Sequence, residues 1–311
     1  MKKITAYRGQ GHIGGGRRHR TTGILCAFLL LLASLASFGQ ASAQEKSFLW
    51  KVRSEKGSIY ILGSIHFLKK ESYPLKTSIE QAFEAATKVV LEIDLQSVTP
   101  EKTRQVTLEK GVFRDGTTLQ RSVAKETYDL TERRARELGI DLRAMNSWKP
   151  WLVALTLTMM KLQKLGFDPG YGIDRHFAER AKRSGKSTGG LESLEFQLGL
   201  FDGMARRDQE MMLRETLKEL DQLDQGVEQI VHLWLKGDVG SLEEWLLAGM
   251  REYPEVHEKV IVERNRRWLP QIEKMITQGE NALVIVGAAH LVGREGVIEL
   301  LRQRGYTVEQ L

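Results

Sequence analysis

Two histidines follow apolar runs at nearly opposite ends of the chain, in "GSIHF" (Gly63 to Phe67) and "GAAHL" (Gly287 to Leu291). Each is a Gly-x-x-His unit, and the two lie 224 positions apart. A neutral imidazole is a common ligand for divalent metals and a ready proton carrier near neutral pH. A third stretch, "VVLEIDL" (Val89 to Leu95), sets Glu92 and Asp94 two residues apart in a β-branched run. On a strand that spacing puts both carboxylates on one face with Val90, and Leu91, Ile93 and Leu95 on the other. A carboxylate in a buried strand is costly unless it is paired or bound to a cation. Two imidazoles, a carboxylate and an open position for water would make a metal site that activates water. Each feature alone has a plainer reading: a turn histidine, or an edge or salt-bridged acid.

These side chains meet only if strands carry them to one edge of a sheet. "FLWKVRS" (Phe48 to Ser54) and "SIYILGSIHF" (Ser58 to Phe67) flank "EKG" and predict a hairpin with Gly57 at the turn. Further strand signals are Val89–Leu95, "STGGLES" (Ser187–Ser193), "NALVIVGAAHLVG" from Asn281, and the edge strand "YTVEQL". Gly63 and Gly287 allow a sharp backbone exit or close approach by another segment, after which the turn can aim His66 and His290 back over the sheet. In open α/β sheets ligands sit beyond the carboxyl ends of the strands.

Helical periodicity marks Lys76–Lys88 and a segment with Thr99 as N-cap, Pro100 at the first helical position and Gly111 as the stop. More helices are predicted at Ala124–Leu138, Trp151–Leu165, Ile173–Ser184, Asp208–Leu235, Ser241–Tyr253, Val256–Gln278 and Arg294–Arg304. The order predicts an α/β (α+β) fold. A mixed central sheet comes from N- and C-terminal segments, and a helical cap, about 99–280, is inserted between them.

Residues 1–43 read as a signal peptide. Lys2, Lys3, Arg8, Arg17, Arg18 and Arg20 precede the apolar run Ile24–Phe38, and Ala41, Ser42 and Ala43 form a cleavage pattern. Cleavage is expected after Ala43, giving an exported, periplasmic protein. An uncleaved anchor, or twin-arginine export through Arg17 and Arg18, are the alternatives. The formal net charge of +6 belongs to this segment, because the remainder carries 40 basic and 40 acidic residues. Nothing basic is left to argue for nucleic acid. The single cysteine, Cys26, also lies in this segment, so residues 44–311 offer no thiolate ligand or disulfide. About 268 residues suffice for a single domain with an unstapled core.

Five motifs in order carry a resemblance: "SIYILGSIHFL", "LEIDL", "GIDRHFAERAKRSGK" with "LESLEFQL", "VERNRRWLPQIEKM", and "VIVGAAHLVGREGVIELLRQRGY". The chain resembles the TraB/GumN (TraB/PrgY/GumN) family, in the superfamily that includes the Tiki metalloproteases, over about Leu49 to Val308. The resemblance implies a divalent metal (Mn, Co or Zn) and, in members known to act, peptide-bond hydrolysis. The wider superfamily includes erythromycin-esterase-like hydrolases and heme-binding lipoproteins of similar fold. Carried over, His66 and His290 would be metal ligands, and Glu92 a ligand or the general base. Asp94 would stand behind them. Arg264 and Asn265 of "VERNRRW" match another family motif; Arg264 would hold a substrate carboxylate or stabilise an oxyanion, or else form a helix-borne ion pair. Asp174 is read first as a helix cap. Glu192 ends a predicted strand and could face the site. Trp148, Trp151, Met159 and Met160 read as core or cleft lining, and His176, His232 and His257 as surface residues.

The resulting expectation is an exported metal-dependent hydrolase, a peptidase first, acting on a peptide or other small acyl substrate. Its alternative is a non-catalytic envelope protein holding heme or peptide at the same histidines. A third reading makes the Asp208–Leu235 helix a partner surface. Peripheral membrane association and oligomeric state stay open. The chain has no H-E-x-x-H, no serine elbow and no Gly-rich phosphate loop.

Overall fold

The computed structural model describes residues 46–250 and 253–311. The expected signal peptide lies outside these residues. Strands β1 (Leu49–Ser54) and β2 (Gly57–Ser64) form the predicted hairpin, with Leu49 opposite Leu62 and Ser54 opposite Gly57. α1 (Thr77–Ala85) leads to β3 (Lys88–Ile93). The next helix, α2 (Pro100–Gly111), starts where the capping residues place it, with the Thr99 hydroxyl accepting the Lys102 N–H. α3 (Leu119–Ser122), α4 (Lys125–Glu137), α5 (Pro150–Lys164) and α6 (Ile173–Arg183) follow.

The chain then returns to the sheet at β4 (Ser187–Glu192), so the span 99–280 is more than a cap of helices. α7 (Leu194–Asp202), α8 (Arg206–Glu219), α9 (Leu223–Lys236), α10 (Val239–Met250) and α11 (Pro254–His257) come next. A π-helical turn, Glu258–Val262, runs into α12 (Glu263–Gln278). β5 (Ala282–Gly287), α13 (Val297–Gln303) and β6 (Thr307–Gln310) complete the order.

The fold is mixed α/β, with a six-stranded sheet in the order β4-β3-β5-β2-β1-β6. β5 is parallel to both β2 and β3, and β4 is parallel to β3; β1 is antiparallel to β2 and β6. The apolar run "ALVIV" explains why β5 is central: Ala282 to Val286 are each fully buried. Because β2, β3, β4 and β5 point the same way, their carboxyl ends share one edge. Ser64 lies opposite Gly287 in the register, so the two Gly-x-x-His turns leave the sheet side by side.

Two helical expectations need correction. Asp208–Leu235 is not continuous; it breaks at Leu220–Gln222 between α8 and α9. Asp221 at the break accepts two hydrogen bonds from Arg134 of α4, at 2.9 and 2.5 Å, while Leu220 and Leu223 stay buried in the core. Likewise Val256–Gln278 is interrupted by the π turn. No helix among the described residues is long and apolar enough to cross a membrane.

Candidate active site

The carboxyl edge of the parallel strands gathers the site. β3 carries Glu92 and β4 ends at Glu192, while His66 lies two residues past β2 and His290 closes the single 3-10 turn that follows β5. Gly287 marks where they meet. A Cβ there would lie 3.2 Å from Glu92 Oε1, 3.6 Å from His290 Cδ2 and 3.7 Å from His66 Nε2. The glycine keeps space open between those three side chains. Gly63 serves a different end, because a Cβ there would strike the Phe48 ring at 2.3 Å.

His290 is buried at 3% exposure and its tautomer follows from its neighbour. Asn265 Nδ2 donates to the Glu295 carbonyl at 2.8 Å, which turns Oδ1 toward His290 Nδ1 at 2.7 Å. Nδ1 is therefore the protonated nitrogen and Nε2 carries the lone pair. Burial, helped by the Arg264 charge, pushes the ring's pKa down to about 3. It is neutral. The Trp268 ring packs beside it, centroids 4.5 Å apart.

His66 is the opposite case, with 58% of its side chain exposed. Its Nδ1 lies 2.7 Å from Asp174 Oδ2, and that carboxylate pushes the imidazole up to about 9, although solvent at so exposed a ring screens part of the effect. Asp174 is thus not the cap of α6. Gly172 takes that position, and the Asp174 carboxylate, in the first helical turn, reaches the histidine.

Glu92 is 7% exposed and held from three sides. Oε1 accepts the Gly287 N–H at 2.7 Å, while Oε2 accepts from Arg264 Nη2 at 2.5 Å and Gln197 Nε2 at 2.9 Å. Burial alone would raise its pKa, but Arg264, the two histidines and the Gly287 N–H outweigh burial and hold it down to about 2. Asp94 does not join it. The strand ends at Ile93, and Asp94 Oδ1 instead accepts the Gln96 N–H, closing a turn.

Arg264 closes the inner wall, and all five of its N–H donors go to protein acceptors. Nε and Nη2 reach Glu192, Nη2 also reaches Glu92, and Nη1 reaches His290 Nε2 at 2.8 Å and the Val260 carbonyl at 3.1 Å. None is left for a substrate in this arrangement. Glu192 takes two more donors, Gln197 Nε2 at 3.1 Å and Trp268 Nε1 at 3.0 Å. Gln197, Trp268 and Val260 are the residues that sequence reasoning missed. Beside this wall a recess of about 460 Å³ has Glu192, Ser193, Arg267 and Gln271 in its lining together with Leu191, Phe196 and Trp268.

Among the described residues no group of three His, Cys, Asp or Glu stands ready around a metal ion. The chemistry of the donors nevertheless fits one. Each imidazole has its Nδ1 held by an oxygen, which aims Nε2 inward, as outer partners of metal-bound histidines do. The Ser64 hydroxyl, opposite Gly287, is buried and has no hydrogen-bond partner among the described residues. What separates the donors is Arg264, whose guanidinium holds both Glu92 Oε2 and His290 Nε2. His176, expected at the surface, is half-buried between the rings of Tyr73 and Phe177.

The chain matches no solved structure. It is 21% identical over 304 residues to an uncharacterized protein of Treponema pallidum (strain Nichols), covering 90% of each chain. It is 23% identical over 248 residues to the uncharacterized protein YbaP of Escherichia coli (strain K12), covering 78% of this chain and 87% of that one. With metalloprotease TIKI2 of Danio rerio it shares 22% identity over 324 residues, covering 85% of this chain and 60% of the relative. The sequence profile of the TraB/PrgY/gumN family matches residues 48–310, which takes in every strand of the sheet and each of the site residues above. The chain belongs to the TraB/PrgY/gumN family.

Proposed function

We propose that the protein is an exported hydrolase of acyl bonds, a peptidase first, whose His66, His290 and Glu92 hold a divalent cation. The convergence of these three side chains on Gly287 carries the reading, and the distant likeness to a metalloprotease supports it. A cation bound there would polarise a substrate carbonyl and lower the pKa of a bound water. Within the chain, Asp174 and Asn265 fix the two rings by their Nδ1 atoms, so that neither can turn away. Glu92 presents Oε1 to the space in front of Gly287 and, held as a carboxylate, would give the cation its anionic ligand. Exposed His66 forms the open side, where substrate would enter, and buried His290 forms the closed side, which keeps water out. The recess beside Glu192 and Trp268, lined by both polar and apolar side chains, would take a part of the substrate next to the scissile bond.

Purified protein incubated with Mn²⁺, Co²⁺ or Zn²⁺ and desalted is expected to retain about one equivalent of one of them. His66→Ala and His290→Ala should each lose it, and Glu92→Gln should abolish cleavage of a peptide library. Equal metal content in the double histidine variant would contradict the reading.

A further inference from the structure

Arg264 raises a question that its neighbours answer. A guanidinium that holds two atoms of a cation site must have somewhere to go when a cation arrives. Its other contacts supply that place: Glu192 accepts from Nε and Nη2, and the Val260 carbonyl accepts from Nη1. The Trp268 ring lies under its plane at 4.6 Å, with the indole N–H also on Glu192. Val260 belongs to the π-helical turn, an irregularity that often marks a functional position. Arg264 could therefore release Glu92 and His290 and still be paired.

We infer that Arg264 is a resident counter-cation of the site, one that yields Glu92 and His290 to a divalent ion and withdraws onto Glu192. Glu192 is then a positioning residue that stores the displaced guanidinium, not a ligand. This inference rests on the divalent-cation reading of the same site. It differs from a structural role in the sign of its consequences. Removing the guanidinium frees two donor atoms, whereas neutralising Glu192 leaves Arg264 with Glu92 as its only carboxylate and makes it harder to displace.

The test is titration calorimetry of the full chain with Co²⁺, with the visible absorption of bound Co²⁺ as a second readout, on wild type, Arg264→Met and Glu192→Gln. Arg264→Met is expected to bind Co²⁺ more tightly, and Glu192→Gln less tightly, each by about tenfold to a hundredfold. Weaker or unchanged binding in Arg264→Met, with wild type binding, overturns the role of Arg264 and leaves the cation site standing. Absence of binding in wild type and Arg264→Met alike removes both. Should Arg264→Met fail to fold, Glu192→Gln decides alone: unchanged or tighter binding there overturns the inference.

Discussion

The two histidines stand on neighbouring strand ends in the same short motif, yet they inhabit different halves of the site. The His290 half is buried and saturated, since ring, amide, guanidinium and two carboxylates satisfy one another. The His66 half is open, and among the described residues its ring bonds to Asp174. One partner is a neutral amide and the other a carboxylate. Burial beside the Arg264 charge takes the His290 ring down to about 3, and the Asp174 carboxylate takes the His66 ring up to about 9. A motif therefore fixes where a histidine emerges, and its neighbours decide what the histidine is.

The comparison is most easily broken from the inner half. Arg264→Ala would leave Glu92 and Glu192 buried without their cation, at 8% and 5% side-chain exposure. Such uncompensated charge is expected to cost about 3–5 kcal/mol in urea unfolding. A loss below about 1 kcal/mol, the range of exposed pairs, would mean that the inner wall is not the saturated network described.

The two glycines give a middle-sized test. Gly63→Ala drives a methyl into the Phe48 ring, and overpacking of that kind costs about 1–3 kcal/mol. Gly287→Ala meets its neighbours at 3.2 Å and beyond, so it should cost less stability but reduce cation retention. Equal losses of stability with unchanged retention would show that Gly287 does not guard the space between the donors.

The smallest effect sharpens the outer half. Followed by NMR in chelator, His66 should titrate above 6.5, at most near pH 9, and His290 only near pH 3. The signs are opposite. Raised above its unfolded value of about 6.5, His66 contributes stability that is complete below that pH and fades as pH rises through about 9. His290, lowered, contributes stability above about 6.5 that is lost as pH falls toward 3. Asp174→Asn should bring the His66 midpoint down with under about 1 kcal/mol lost at neutral pH. A midpoint that does not move would contradict the assigned cause.

Much of this was legible in the sequence, for identifiable reasons. β-branched runs ending in glycine announced β2 and β5, and Thr99-Pro100 announced α2. His66, Glu92 and His290 could be singled out because their types are unusual at strand ends. Pairings made across the fold were not legible. Nothing local in "ELDQLDQ" breaks a helix, and the break sits where distant Arg134 grips Asp221. Asp174 looked like a cap because the sequence hides His66, 108 residues away. Asp94 followed the period-two rule only as far as the strand itself, which stops at Ile93. Gln197 and Trp268 carry no local signal, because their role is to satisfy carboxylates that arrive from other strands.

Anomalous diffraction from a Co²⁺-loaded crystal would test the central claim most directly. A single ion is expected about 2.0–2.2 Å from His66 Nε2, His290 Nε2 and a Glu92 oxygen, in front of Gly287. An ion bound elsewhere, or one that leaves any of these three side chains out of its shell, would contradict it.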